Sequence, residues 1–264
     1  MNEFNDIIAQ GFYAKKQLYL KDALISWSHR RRFETALRLA SELRPRRLLD
    51  YGCGDGTFLA LLQQTSNSLE EADGCELLQA NVLNLKQRFQ SLPSLRFHTV
   101  AELDDPANDG RYDLVTCMEV LEHVVEVQTV IANLPRLLSD EGRLLISVPT
   151  EIGIALIVKQ TARRIAGWRG LGHYRFVARY QWLELWAGLI AGANQHIPRP
   201  VYQDPDGTFF HDHKGFNWRI LQRDLEAIFH TERIVYSPVS CFPALASQVW
   251  FVLSRKAIAP SSRP

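Results

Sequence analysis

The 264-residue chain has no stretch of the roughly 18 consecutive apolar residues that a membrane-spanning helix requires. Met1 to Gln10 lacks the basic-then-apolar layout of a secretory signal. Cysteine is scarce: Cys53, Cys75, Cys117 and Cys241 are the only four, and no two are spaced as a CxxC pair. That argues against a disulfide framework, leaving buried thiols in a reducing compartment as the expectation. An excess of one charge is missing too. With 30 Lys and Arg against 29 Asp and Glu the net charge is +1, so the chain as a whole has no electrostatic case for DNA or a membrane surface. Internal repeats are absent. The expectation is a cytoplasmic protein built as one α/β domain over residues 1–264.

What the chain does have is a glycine turn. Leu48-Leu49-Asp50-Tyr51-Gly52-Cys53-Gly54-Asp55-Gly56-Thr57 begins as an apolar strand-like run and opens a helix at Thr57, with Phe58, Leu59, Leu61 and Leu62 as its buried candidates. A buried parallel strand reads as a continuous apolar run. Glycines at every second position let backbone approach a ligand without a Cβ in the way, and a strand feeding a helix through such a turn aims helix N–H groups at that ligand.

The rest falls into order around this turn. Residues 1–44 read as a helical cap that Pro45 closes, and it contains His29-Arg30-Arg31-Arg32. That cluster is either a solvated face or a source of one arginine for a bound carboxylate. Arg47 to Tyr51, Ala72 to Leu77, Leu95 to Val100, Tyr112 to Met118 and Leu144 to Val148 read as strands; Thr57 to Gln64, Asn81 to Gln90 and Val127 to Leu138 read as helices, the last ended by Gly142. Strand and helix alternating at these spacings predict a Rossmann-like, doubly wound, mostly parallel sheet over 45–150. Residues 151–214 break the rhythm, with irregular backbone expected around Pro198, Pro200, Pro205 and Gly207. In 215–256 a helix over Asn217 to Phe229 precedes strands Arg233 to Tyr236 and Gln248 to Leu253, and their short connection predicts an antiparallel last strand. The tail 257–264 is expected to be disordered.

The turn lacks the Lys-Ser/Thr of a phosphate-cradling loop, and Thr57 stands where a dinucleotide fingerprint wants its last glycine. It is thus built for close approach without a pyrophosphate signature. Glu76 ends the next strand, where an acid can accept hydrogen bonds from both hydroxyls of a ribose. Asp50 either faces the ligand or binds the loop's own N–H groups.

Leu48 to Gly56 with Glu76, Tyr112 to Val124, and Gly142 to Pro149 together resemble, in order and spacing, three motifs of the class I S-adenosylmethionine-dependent methyltransferases. The resemblance implies that S-adenosyl-L-methionine is the cofactor, that Asp50, Gly52, Cys53 and Gly54 surround its methionine half and that Glu76 holds the ribose. It also implies that Glu102 flanks the adenine and that Cys117 and Met118 line the sulfonium side. Thr116 to Val124 is similar to the ubiquinone-biosynthesis O-methyltransferases, so oxygen is the expected methyl acceptor, on a small molecule such as a sugar, a phenol or quinone precursor or a lipid-linked glycan. His123, His213 and Glu119 are the catalytic candidates, a histidine taking the hydroxyl proton.

Glu119, Glu122 and His123 also fit the Glu-x-x-Glu-His pattern of small-RNA 3′-terminal 2′-O-methyltransferases, which bind a divalent metal; His213 would complete the ligands. The bland reading is that Glu119 and His123 bind locally and cap the following helix. Near-neutral charge and the lack of a dedicated RNA module argue against RNA. A nucleotide-dependent oxidoreductase is disfavoured by the missing glycine, and a non-catalytic interaction protein by the intact motif. The basic, Trp-rich insertion reads as a lid selecting the acceptor. Its other reading is a peripheral membrane contact through 151–170, with Lys159, Arg163 and Arg164 on the polar side of Ile152 to Ile165.

Overall fold

The apolar run before the glycine turn forms β1 (Arg47–Tyr51), whose middle three residues are buried. The computed structural model describes residue 11 and residues 23–168, 180–240, 242, 244 and 246–256. Residues 1–10, 12–22, 169–179 and the tail 257–264, with the expectations that fall on them, lie outside the described residues. The further strands are β2 (Glu71–Glu76), β3 (Leu95–Thr99), β4 (Tyr112–Met118), β5 (Leu138–Pro149), β6 (Val201–Gln203), β7 (Phe209–His211), β8 (Phe229–Ser237) and β9 (Gln248–Arg255). The helices are α1 (Ala23–Leu43), α2 (Thr57–Thr65), α3 (Gln79–Arg88), α4 (Val127–Leu137), α5 (Gly153–Trp168), α6 (Trp182–Leu189) and α7 (Trp218–Ile228).

Seven strands form one sheet in the order β3-β2-β1-β4-β5-β9-β8. The first five pair in parallel, and β9 runs antiparallel to both β5 and β8, as the short connection requires. From β1 the chain steps outward through β2 to β3, then crosses to β4 on the other side. The carboxyl ends of β1 and β4 therefore border the crevice where open α/β sheets bind ligands.

Adjacent strand residues feed opposite layers because side chains alternate across a strand. Leu48, Leu114 and Trp250 pack with Ala36, Leu39 and Ala40 of α1 and Phe58, Leu59 and Leu62 of α2. Leu49, Val115 and Phe251 pack with Ile131 and Leu134 of α4 and Leu221 and Leu225 of α7. Each such fully buried aliphatic side chain contributes about 1.5–3 kcal/mol relative to exposure. The three described cysteines Cys53, Cys75 and Cys117 are buried free thiols.

Two readings are corrected. Gly142 does not end a helix: α4 stops at Leu137, β5 starts at Leu138, and Gly142 lies inside the strand. It is glycine because a Cβ there would sit 2.8 Å from the carbonyl oxygen of Tyr112. The proline-rich stretch is not wholly irregular either. Asp204-Pro205-Asp206-Gly207 is strong turn chemistry, and it closes an antiparallel hairpin of β6 and β7 with Gly207 at φ 92° donating to the Asp204 carbonyl.

The insertion is anchored to the core. Asn217 caps α7 by accepting from the Arg219 N–H, and its amide donates to the carbonyls of Gly192 and Gln195, each at 2.9 Å. Lys159 is not on a solvated face as expected: it turns inward to Glu151 at 3.0 Å and to the Ser247 carbonyl at 2.9 Å. Ile152, Ala155 and Leu156 are buried, while Ile154, Ile157 and Val158 face solvent. Arg163 and Arg169 lie outside the residues whose side chains are described.

Candidate active site

A cavity of about 320 Å³ opens at the carboxyl ends of β1 and β4. The glycine turn forms one wall. Gly52, Gly54 and Gly56 have φ of 76°, 58° and 72°, in the left-handed region that side chains resist. At Gly52 a Cβ would also meet Val120 Cγ2 at 2.4 Å. The turn is held from below, because the N–H groups of Gly52 and Cys53 both donate to the Cys75 carbonyl at 3.0 Å. Arg88 braces it from the side by donating to the Asp55 carbonyl at 2.7 Å.

Asp50 does not bind the loop N–H groups. Its carboxyl accepts from Thr116 Oγ1 of β4 at 2.6 Å, across the strand pair. Burial pushes it up to about 7, the Thr116 hydroxyl pulls against that and the Glu76 charge adds to it. Glu76 accepts from the N–H of Gly54, a cavity-lining residue, at 2.5 Å, and is not itself among the lining residues. Burial raises its pKa and the Gly54 N–H opposes the rise.

The opposite wall comes from the end of β4 and the loop after it. Met118, Glu119, Glu122 and His123 line the cavity, with His213 of the insertion and His29, Arg32 and Phe33 of α1. Glu119 is a non-glycine residue at φ 56°, a conformation that costs about 1–3 kcal/mol and persists only where surroundings impose it. Here its N–H donates to the Ser147 carbonyl at 2.9 Å, and its carboxylate takes Ser147 Oγ at 3.1 Å and Arg32 at 3.3 Å. Burial and the neighbouring Arg32 push His29 down to about 4, which keeps it neutral.

His123 is clasped to the hairpin. Its Nδ1 lies 2.8 Å from the His211 carbonyl oxygen, and its own carbonyl accepts from the His211 N–H at 2.9 Å. A carbonyl can only accept, so Nδ1 carries the proton and Nε2 holds the lone pair of the neutral ring. His213 meets His123 edge to face at 4.9 Å between ring centres. Arg199 donates to the carbonyls of Glu122 and Asp212, the residues immediately before the two histidines, and stacks over Phe216. Burial brings Arg199 down to about 10, against the nearby Glu122 charge.

Glu122, His123 and His213 offer ligand atoms within 4.8 Å of one another. Glu122 is fully buried and neither carboxylate oxygen has a hydrogen-bond partner. Burial and the charge of Glu119 push its carboxyl well up. Orphaned buried oxygens beside two imidazoles fit a divalent cation. Glu119 is not part of that group, because Ser147 and Arg32 occupy its oxygens.

Two further expectations are corrected. Cys117 does not line the cavity: strand alternation sends it into the layer with Val115 and Leu121, while Met118 faces the site. Glu102 does not line it either; its exposed carboxylate bonds back to the N–H and hydroxyl of Thr99. Asp50, Gly52, Cys53, Gly54, Met118, Glu119, Glu122, His123 and His213 are brought together. Arg32 is the arginine of its cluster that points in. Arg199 carries no local sequence signal, since its partners lie far away in the chain.

A family model described as a methyltransferase domain matches residues 26–203. The chain is 29% identical over 157 residues to the ubiquinone biosynthesis O-methyltransferase of Rickettsia conorii, covering 57% of this chain and 52% of that protein. It is 31% identical over 117 residues to that of Vibrio cholerae, covering 44% and 47%. The chain thus spans about half the length of these curated relatives. Among solved structures, the PH0226 protein from Pyrococcus horikoshii aligns with a TM-score of 0.57 at 15% identity, over 92% of this chain and 98% of that one. The methyltransferase domain of bacterial CtHen1-C aligns at 0.55 and 16%, over 86% and 98%.

Proposed function

The chain belongs to the class I S-adenosylmethionine-dependent methyltransferases, and we propose that it methylates a hydroxyl oxygen of a small-molecule acceptor. The observation that carries this reading is the clasped His123, which presents a lone pair on Nε2 beside a cavity walled by the glycine turn. When bound, S-adenosylmethionine supplies an electrophilic methyl on a sulfonium.

The chain's residues fit that cofactor. The left-handed turn at Gly52 and Gly54 presents backbone without side chains, and Asp50 sets a carboxyl at the cavity floor for the methionine ammonium. Arg32 is placed for the methionine carboxylate, since a guanidinium binds carboxylates in a fork. Glu76, braced by Gly54, is the acceptor for ribose hydroxyls. Met118 packs at the sulfur side.

On the acceptor side, His123 would take at Nε2 the proton that the acceptor hydroxyl gives up on methylation. General-base assistance of this kind contributes typically 10²–10⁴-fold. The insertion excludes water and holds the acceptor in line. The similarity to proteins named ubiquinone biosynthesis O-methyltransferases favours oxygen as the methylated atom.

A second reading, metal-assisted transfer, is favoured by the buried Glu122 oxygens, which lack a hydrogen bond and of which Oε1 lies 3.9 Å from His123 Nε2. Glu122, His123 and His213 would hold the cation, which would lower the pKa of a nearby hydroxyl. Melting with and without Mn²⁺ tests it: a rise in the parent that Glu122→Gln abolishes supports the metal, and no rise removes it.

The test of the main reading is a labelled-methyl transfer screen over phenols, sugars, lipids and small RNAs. An O-methyl product from a small hydroxyl compound is expected; label found only on nitrogen, carbon or RNA would overturn it.

A further inference from the structure

Among the described residues, fourteen large apolar side chains are exposed, and ten of them lie between Ile154 and Phe209, in the insertion. They follow the helices. On α5, Ile154, Ile157 and Val158 share one side, opposite the buried Ala155 and Leu156. On α6 and its C-cap, Trp182, Trp186 and Ile190 recur every four residues, and Trp182 and Leu183 are 76% and 82% exposed. Gly188 packs α6 onto α5, since a Cβ there would meet Leu156 Cδ2 at 2.5 Å. Gly188 sits two residues from both Trp186 and Ile190, which puts it on the other side of the helix. The bare stripe of α6 is thus the side that neighbouring structure leaves uncovered.

Charge identifies what suits these stripes. From Ile152 to Leu183 the sequence holds Lys159, Arg163, Arg164, Arg169, Arg175 and Arg179 and not one Asp or Glu. All 29 acids lie elsewhere, with the other 24 of the 30 Lys and Arg. The near-zero net charge therefore hides a segregated cationic segment. Lys159 is spent on Glu151, and Arg164 is exposed. Aromatic and aliphatic side chains beside arginines are the composition of an interfacial membrane helix, whose apolar side enters the headgroup boundary while cations meet anionic lipid. A protein partner of ordinary surface would not call for an acid-free segment.

The position matters for the site. Glu184 of α6 pairs with Lys214 at 2.9 Å, and the Tyr180 hydroxyl accepts from the Gly215 N–H at 3.1 Å. The start of α6 is thereby tied to the segment that carries His213 into the cavity.

We infer that α5 and α6 dock the protein on an anionic lipid bilayer, with the cavity beside the bound surface. The bilayer then delivers an amphipathic, membrane-borne acceptor. That last step rests on the hydroxyl-acceptor reading; the docking itself does not.

The test is flotation of the full chain with phosphatidylcholine vesicles, with and without phosphatidylglycerol, at low and high salt. Binding to the anionic vesicles is expected, weakened by salt. Trp182→Ser with Trp186→Ser, and separately Arg164→Glu, should each weaken it, the first by about tenfold or more. Both replace exposed side chains, so calorimetry with S-adenosylhomocysteine should match the parent and certify the fold. Absence of vesicle binding, binding equal in the variants, or sedimentation showing a stable dimer that the Trp replacements dissolve would overturn the inference. Vesicle binding together with methyl transfer to nitrogen would overturn only the acceptor reading.

Discussion

His123 and His211 hold each other by two hydrogen bonds, ring Nδ1 to carbonyl oxygen at 2.8 Å and carbonyl oxygen to N–H at 2.9 Å. The bonds join the loop after β4 to the hairpin of the insertion. They fix the ring's tautomer and point its basic nitrogen without using any residue that would bind the cofactor. His123→Ala should therefore lower kcat by about 10²–10⁴-fold while S-adenosylhomocysteine affinity stays near the parent's. Steady-state kinetics and calorimetry separate the two; unchanged turnover removes His123 from the reaction.

Asp50 keeps its proton to about pH 7 in the folded chain, against an ordinary carboxyl value of 3.8. Between those values the folded state binds more protons than the unfolded one, so this residue's effect is a loss of stability as pH rises through that window. Asp50→Asn should remove that loss and gain stability over the parent near neutral pH, while weakening cofactor binding. In the parent, S-adenosylhomocysteine affinity should rise with pH up to about 7, as the carboxylate becomes available to the ligand's ammonium. Melting curves and calorimetry across this range check both; parallel pH profiles for parent and variant would contradict the assignment.

Glu76 is braced by the Gly54 N–H at 2.5 Å and is assigned to the ribose hydroxyls. A hydrogen bond to a charged group is worth about 1.5–3 kcal/mol, so Glu76→Ala should weaken S-adenosylhomocysteine by roughly ten- to a hundredfold. Equal affinity by calorimetry would refute the ribose role.

Gly52 is needed for the turn itself. Gly52→Ala adds a left-handed penalty of about 1–2 kcal/mol to a collision with Val120, so a loss of about 2–4 kcal/mol is expected. A second change, Val120→Ala, should recover the collision part only. Denaturant melts measure both; full recovery in the double variant would mean that the backbone conformation carries no cost.

The sheet was legible because parallel strands and their glycine turn are local patterns: Leu48 to Gly56 and Tyr112 to Met118 carry their own apolar runs. Part of the site was legible in principle but misassigned. Alternation along β4 already separates Met118 from Cys117, and Asp204-Pro205-Asp206-Gly207 already spells a hairpin turn. Gly142 misled because glycine serves both helix ends and close strand approaches, and only the Tyr112 carbonyl decides between them. Arg199 and the His211 carbonyl could not be read at all. Arg199 donates to a backbone oxygen 77 residues away and the His211 carbonyl accepts from a ring nitrogen 88 residues away, and no spacing in the sequence encodes that proximity.

In the proposed reaction one cavity serves both the methyl donor and the base. A crystal structure with S-adenosylhomocysteine measures that most directly. The predicted result has the ribose at Glu76, the methionine half over Gly52 and Gly54, and the sulfur facing His123 Nε2 with open space between them. A sulfur turned away from His123 and His213 would contradict it.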